Sequence, residues 1–119
     1  MAKKILVVDD EPGVRMILSL KLEDRGYEVL TAEDGAEAVR LAGEKMPDLI
    51  LLDLNMPGMD GSEAAMELKD NEVTKKIPVI FLTALVSPEE VSSEAHSMIY
   101  AKSNDFSLLM DKIREVVGK

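Results

Sequence analysis

Five short apolar runs recur along the 119-residue chain: KILVVD at 4–9, YEVLTA at 27–32, DLILLDL at 48–54, IPVIFLT at 77–83 and MIYAK at 98–102. They are rich in β-branched residues, and the segments between them carry helical spacing. The clearest helix is the last, where Phe106, Leu109, Met110, Ile113 and Val117 share one face while Asp111, Lys112, Arg114 and Glu115 take the other. Ala36, Val39, Gly43 and Met46 make a similar stripe earlier. Pro12, the pair Asp34 and Gly35, and Ser87 with Pro88 are helix-start signals, and Gly26 is a stop. Near-continuous apolar strands joined by helices pack as a parallel sheet covered on both faces. The pattern predicts a single α/β domain over residues 1–119, without linker, low-complexity tract or repeat.

Charge and composition narrow what such a domain can do. Lys and Arg total 14 against 23 Asp and Glu, a net charge of -9, so no basic patch is expected and nucleic acid is not a direct partner. No apolar run reaches the roughly 18 residues of a membrane span. The opening MAKK lacks a signal peptide's apolar stretch, so no membrane insertion and a cytoplasmic location are expected. With no cysteine and one histidine, any metal here must be held by oxygen.

The polar residues that interrupt the apolar runs fall at their ends. Asp9 and Asp10 close the first run, Asp53 the apolar part of the third, Thr83 the fourth and Lys102 the fifth. Open parallel sheets bind ligands at the carboxyl ends of their strands, so these residues are expected on one edge. Three carboxylates converging there repel unless a cation sits among them, and all-oxygen ligands favour Mg2+, with Mn2+ also possible. Lys102 and Thr83 supply a positive charge and a hydroxyl donor suited to a tetrahedral anion. A metal and an anion together describe a phosphoryl group, toward which a carboxylate beside a divalent cation and a lysine is a competent nucleophile.

Taken in order, ILVVDDEPGVR, PDLILLDLNMPGMDG, IPVIFLTA and the later Lys102 resemble the receiver domain of bacterial two-component response regulators, in particular chemotaxis-regulator-like single domains. The resemblance spans the whole chain. It implies a flavodoxin-like, doubly wound five-stranded parallel sheet, (βα)5, with strand order 2-1-3-4-5. It further implies that Asp53 is the phosphoacceptor, supplied by a sensor histidine kinase or a phosphotransfer protein. Asp9 and Asp10 match the family's metal-binding acidic pair, and the Asn55 backbone carbonyl completes the protein's share of the Mg2+ shell. Thr83 matches the switch hydroxyl and Lys102 the lysine that pairs with the phosphoryl group. Asn55 and Leu85 hold positions that tune phosphoryl lifetime, here short to moderate. A downstream effector protein reads the phosphorylated state, and the domain is not an enzyme beyond self-catalysed phosphoryl uptake and slow autodephosphorylation.

Two positions depart from the family pattern. Ile99 replaces the usual aromatic residue three before the lysine, and Ser103 the usual proline after it. Tyr100, by strand alternation, shares the face of Lys102 and is no substitute for that aromatic. A cis bond before a non-proline residue costs roughly 3 kcal/mol, so the Lys102–Ser103 bond is expected to be trans. The interval from Thr83 to Lys102 is short and lacks a small-residue turn around His96 to Met98, which predicts a short or irregular fourth helix, between the fourth and fifth strands. These departures leave an alternative, a phosphorylation-independent interaction module with a receiver fold and a partly lost switch. The intact Asp9, Asp10, Asp53, Thr83 and Lys102 set favours the phosphoacceptor. A phosphohydrolase would carry an aspartate where Asn55 stands, and a flavin site of the flavodoxin type would be hydroxyl- and Gly-rich where this chain has DDEPG. Outside the site, His96 is expected on the surface, Met16, Met46, Met66 and Met110 in packing positions, and Arg15, Arg25 and Arg40 as solvated helix charges.

Overall fold

The computed structural model describes residues 2–53, 61–83, 99–101 and 106–118. Their order is β1 (Lys4–Val8), α1 (Pro12–Asp24), β2 (Glu28–Ala32), α2 (Gly35–Lys45), β3 (Leu49–Asp53), α3 (Gly61–Asp70), β4 (Val79–Thr83), β5 (Ile99–Ala101) and α4 (Phe106–Val117). All strand pairs are parallel, in the order β2-β1-β3-β4-β5. The five apolar runs are therefore the five strands, and the flavodoxin-like order expected from the sequence is the observed one.

Strand alternation divides the core in two. Ile5, Val7, Leu49, Leu51, Ile80 and Leu82 point to one face, where Leu18 and Leu22 of α1 and Leu109, Met110 and Ile113 of α4 cover them. Leu6, Val8, Ile50, Leu52 and Val79 point to the other, covered by Ala38 and Ala42 of α2 and Ala64 and Leu68 of α3. With helices on both faces the central strands β1 and β3 have almost no side left to water, which is why they are apolar at consecutive positions rather than alternate ones. A core leucine in either strand cut to alanine would cost about 2–5 kcal/mol.

Local signals set the helix ends. Pro12 occupies the first turn of α1, where its missing N–H costs nothing. At the other end Gly26 has φ 93°, its N–H donates to the Glu23 carbonyl at 3.0 Å, and the Tyr27 N–H donates to the Leu22 carbonyl at 3.2 Å. This is the paired-bond helix stop that favours glycine, closed by Leu22 and Tyr27 packing into the same cluster. Asp34 caps α2, its carboxylate accepting from the Glu37 N–H at 2.8 Å.

Two expectations need correction. The buried face of α2 is Gly35, Ala38 and Ala42, with Val39 and Leu41 partly covered, not the stripe Ala36, Val39, Gly43 and Met46. Ala36 and Gly43 are exposed, and Met46 lies beyond the helix as a left-handed C-cap with φ 49°. Only Val39 of that stripe packs. Of the four methionines expected in packing positions, Met110 is core, but Met16, Met46 and Met66 are 62%, 49% and 66% exposed. Met16 lies two residues from Leu18 and Met66 two from Leu68, about 200° around the helix from the packed side. The helix expected between the fourth and fifth strands, with its Ser87 and Pro88 start, His96, and the Lys102–Ser103 bond lie outside the described residues.

The two glycine environments make opposite predictions. Gly43 sits inside α2 with nothing within 4 Å of an added Cβ, so Gly43→Ala should stabilise by about 1 kcal/mol, raising Tm by roughly 4 °C in a circular-dichroism melt. Gly26→Ala, at positive φ, should destabilise by about 1–2 kcal/mol in the same assay.

Candidate functional site

The sheet order fixes where a site can form. From β1 the chain crosses one face to reach β2, and from β2 it returns across the other to β3, so the crevice opens between the carboxyl ends of β1 and β3. The register pairs Val8 with Leu52, which brings Asp9 and Asp53 level as the next residues of neighbouring strands. One carboxylate oxygen from each of Asp9, Asp10 and Asp53 lies within 4.8 Å of the other two. Asp9 and Asp53 are 0% and 1% exposed, whereas Asp10 opens to solvent.

Three carboxylates this close are electrostatically costly. Two unit charges 4.8 Å apart repel by roughly 3 kcal/mol at an effective dielectric near 20, and burial of Asp9 and Asp53 adds a desolvation cost. Their placement is nonetheless rigid. Asp53 ends a strand whose five residues are all buried. The Asp9 N–H donates to the Ala32 carbonyl at 3.2 Å, and its carboxylate Oδ1 accepts from the Glu11 N–H at 3.0 Å, closing the turn into α1. The packed sheet holds like charges together that would separate in an open chain.

The donor set suits a hard divalent cation. All three groups offer oxygen, and one faces solvent, where a Mg2+ ion could keep the waters it is slow to shed. The site residues expected from the sequence divide by position. Asp9, Asp10 and Asp53 are brought together. Thr83 ends β4 on the same side of the sheet, its backbone paired with Ala101, the residue before Lys102. Lys102 and Asn55 lie outside the described residues.

One participant was missed by sequence reasoning. Arg15, expected as a solvated helix charge, is half-buried, and its Nη1 donates to the Asp9 backbone carbonyl at 2.7 Å. It also lines a cleft of about 280 Å³ beside the site, with Thr31, Ala32, Glu33 and Glu37. The available signal was positional, since the fourth residue of a helix that begins at a site can reach back across the turn preceding it.

A parallel sheet covered on both faces thus carries an acidic cluster at its switch point. Residues 5–113 match the family model for the response regulator receiver domain, and the chain belongs to that family. It is 51% identical over 86 residues to the response regulator PleD of Caulobacter vibrioides, an alignment covering 71% of this chain and 19% of PleD. It is similar to the crystal structure of the receiver domain of sensor histidine kinase PA1611 from Pseudomonas aeruginosa PAO1, which has a magnesium ion coordinated in its active site cleft. That similarity has a TM-score of 0.85 and 29% identity, and covers 100% of both chains. A chain in the crystal structure of histidine kinase ThkA in complex with response regulator protein TrrA is similar with a TM-score of 0.82 and 36% identity, covering 97% of this chain and 98% of that one. The protein is thus a receiver domain of two-component signalling. Among the described residues no helix is long and apolar enough to cross a membrane.

Repulsion among the carboxylates has a measurable consequence. Asp9→Asn keeps an oxygen for the Glu11 N–H but removes one charge, so the metal-free protein should gain about 1–3 kcal/mol in urea unfolding. The stabilisation conferred by added Mg2+ should shrink in the same variant, because a cation bound only by the folded state stabilises in proportion to its affinity.

Proposed function

We propose that the chain, residues 1–119 acting as one receiver unit in the cytoplasm, accepts a phosphoryl group on Asp53 from a histidine kinase or phosphotransfer protein and passes the signal to a partner protein. The observation that carries this reading is the convergence of three carboxylates at the β1–β3 crevice, with Asp53 at the end of a fully buried strand. A buried carboxylate is costly to desolvate, and an anchored nucleophile needs little further ordering to reach an in-line geometry.

In the transfer, a carboxylate oxygen of Asp53 forms a bond to phosphorus while the bond from phosphorus to the donor's imidazole nitrogen breaks. The nitrogen keeps the electron pair. Asp9, Asp10, Asp53 and the Asn55 backbone carbonyl would hold Mg2+. The bound ion would supply charge neutralisation, both for the crowded carboxylates and for the phosphoryl oxygens. Lys102 pairs with the phosphoryl oxygens, and the Thr83 hydroxyl donates to them as the switch. Support for the last two roles comes from strand order, which brings the ends of β4 and β5 to the edge that holds Asp53.

The α1 surface supports a kinase as donor. Met16, Ile17 and Leu20 are 62%, 55% and 61% exposed and share one face of the helix that begins at the site. Large apolar side chains grouped in water mark a contact surface. A chain similar to this one is found in the complex of histidine kinase ThkA with response regulator protein TrrA.

Intact-protein mass spectrometry after incubation with acetyl phosphate tests the acceptor chemistry. One phosphoryl group should be gained with Mg2+, and none with Asp53→Asn or with the metal chelated. Failure to gain it under conditions that label another receiver would overturn the reading. The donor surface has its own test. Leu20→Glu should lower phosphotransfer from whichever histidine kinase labels the wild type best by about tenfold or more, while uptake from acetyl phosphate stays unchanged.

A further inference from the structure

Arg15 belongs to neither the carboxylate cluster nor the exposed α1 face, yet it touches the residue on which the cluster is built. Its guanidinium reaches back over the turn from β1 to α1 and donates to the Asp9 carbonyl at 2.7 Å. That carbonyl is part of the peptide unit joining Asp9 to Asp10. Holding it limits rotation of the peptide and so limits where both carboxylates can go. The Ala32 carbonyl accepts the Asp9 N–H at 3.2 Å and the Asp9 carboxylate accepts the Glu11 N–H at 3.0 Å, so the Arg15 guanidinium adds a hold on the one part of Asp9 those two bonds do not engage, its carbonyl.

A cation in this place has two opposed effects on a metal ion. Its charge repels the ion and weakens binding. Its hydrogen bond keeps the ligands assembled before the ion arrives, which strengthens binding by removing an ordering cost. The surroundings favour the second effect. Glu33 and Glu37 line the same cleft as Arg15 and offset its charge, whereas the hydrogen bond to Asp9 is short and charge-assisted. Glu37 is itself fixed, its Oε1 accepting from the Glu33 N–H at 2.8 Å.

We propose that Arg15 is a positioning residue of the metal site, holding the Asp9–Asp10 peptide in its metal-binding geometry. The proposal rests on the Mg2+ reading above. It predicts a sign that charge alone would reverse, since deleting a nearby cation without a positioning role should tighten Mg2+.

Calorimetric titration of Mg2+ into the full chain decides it, using the wild type, Arg15→Ala, Arg15→Gln and, as a control for net charge, Arg114→Ala. Arg114 is an exposed residue near the end of α4, paired with Asp111. The Mg2+ dissociation constant should rise roughly tenfold in Arg15→Ala, as is typical when a ligand's support is removed, and by less in Arg15→Gln, which keeps a donor. Arg114→Ala should bind as the wild type does. Metal-free melting is recorded beside each titration, because a purely structural role would lower Tm while leaving the dissociation constant of the folded protein unchanged. If Arg15→Ala does not fold, Arg15→Gln carries the comparison. Binding by an Arg15 variant as tight as the wild type, or tighter, overturns the proposal. A wild type that takes up no Mg2+ overturns the metal reading itself, and the positioning role with it.

Discussion

The mutual repulsion of Asp9, Asp10 and Asp53 is the constraint around which this structure is organised. Carboxylate oxygens within 4.8 Å of one another stay together only if the backbone beneath them cannot yield. The backbone beneath them is accordingly deeply buried. Ile5 through Val8 and Leu49 through Leu52 are all at 0% exposure, paired in parallel and covered by helices on both faces. Hydrophobic burial at the sheet centre therefore opposes electrostatic cost at its edge, and the charge is stored where a cation and a phosphoryl group would relieve it. The crowded charge and the proposed phosphoacceptor share a location because the buried sheet centre can hold both.

The rest of the fold serves that edge. The helix stop at Gly26 turns the chain back into β2, whose Ala32 carbonyl receives the Asp9 N–H. The Asp34 cap starts α2 directly after β2 and returns the chain across the opposite face to β3. These local devices are worth about a kilocalorie each. Their combined effect is topological, since they place β1 and β3 side by side at the point where the winding reverses.

Much of this was legible in the residues. Strand positions followed from five apolar runs, the caps from Pro12, Asp34 and Gly26, and the covered face of α4 from the spacing of Leu109, Met110 and Ile113. The phase of α2 was not legible. Its small residues, Gly35, Ala36, Ala38, Ala42 and Gly43, are scattered around the helix, so periodicity selects no direction, and contact with β1, β2 and α3 chose the side. Met16 and Met66 misled for a related reason. Methionine is apolar by composition whether it faces the sheet or water, and only the placement of Leu18 and Leu68 shows which side is spent on packing. Arg15 was missed because a basic residue in an amphipathic helix reads as a surface charge, and its partner is a backbone carbonyl, which has no signature in sequence.

The sequence by itself determined the architecture and the candidate edge. Short β-branched runs between turn signals favour strands, helical stretches between them favour a parallel sheet, and aspartates at strand ends mark the edge of the proposed site, because these properties depend on residue type and local spacing. Tertiary structure alone decided how close the three carboxylates come, which of them is open to solvent, and which side chain braces them. Those quantities depend on strand order and register, on the pairing of Val8 with Leu52 across 44 residues of chain, and on a guanidinium turned back toward the strand it follows. Distances between residues far apart in sequence arise only when the whole sheet is assembled, and the site is made of such distances.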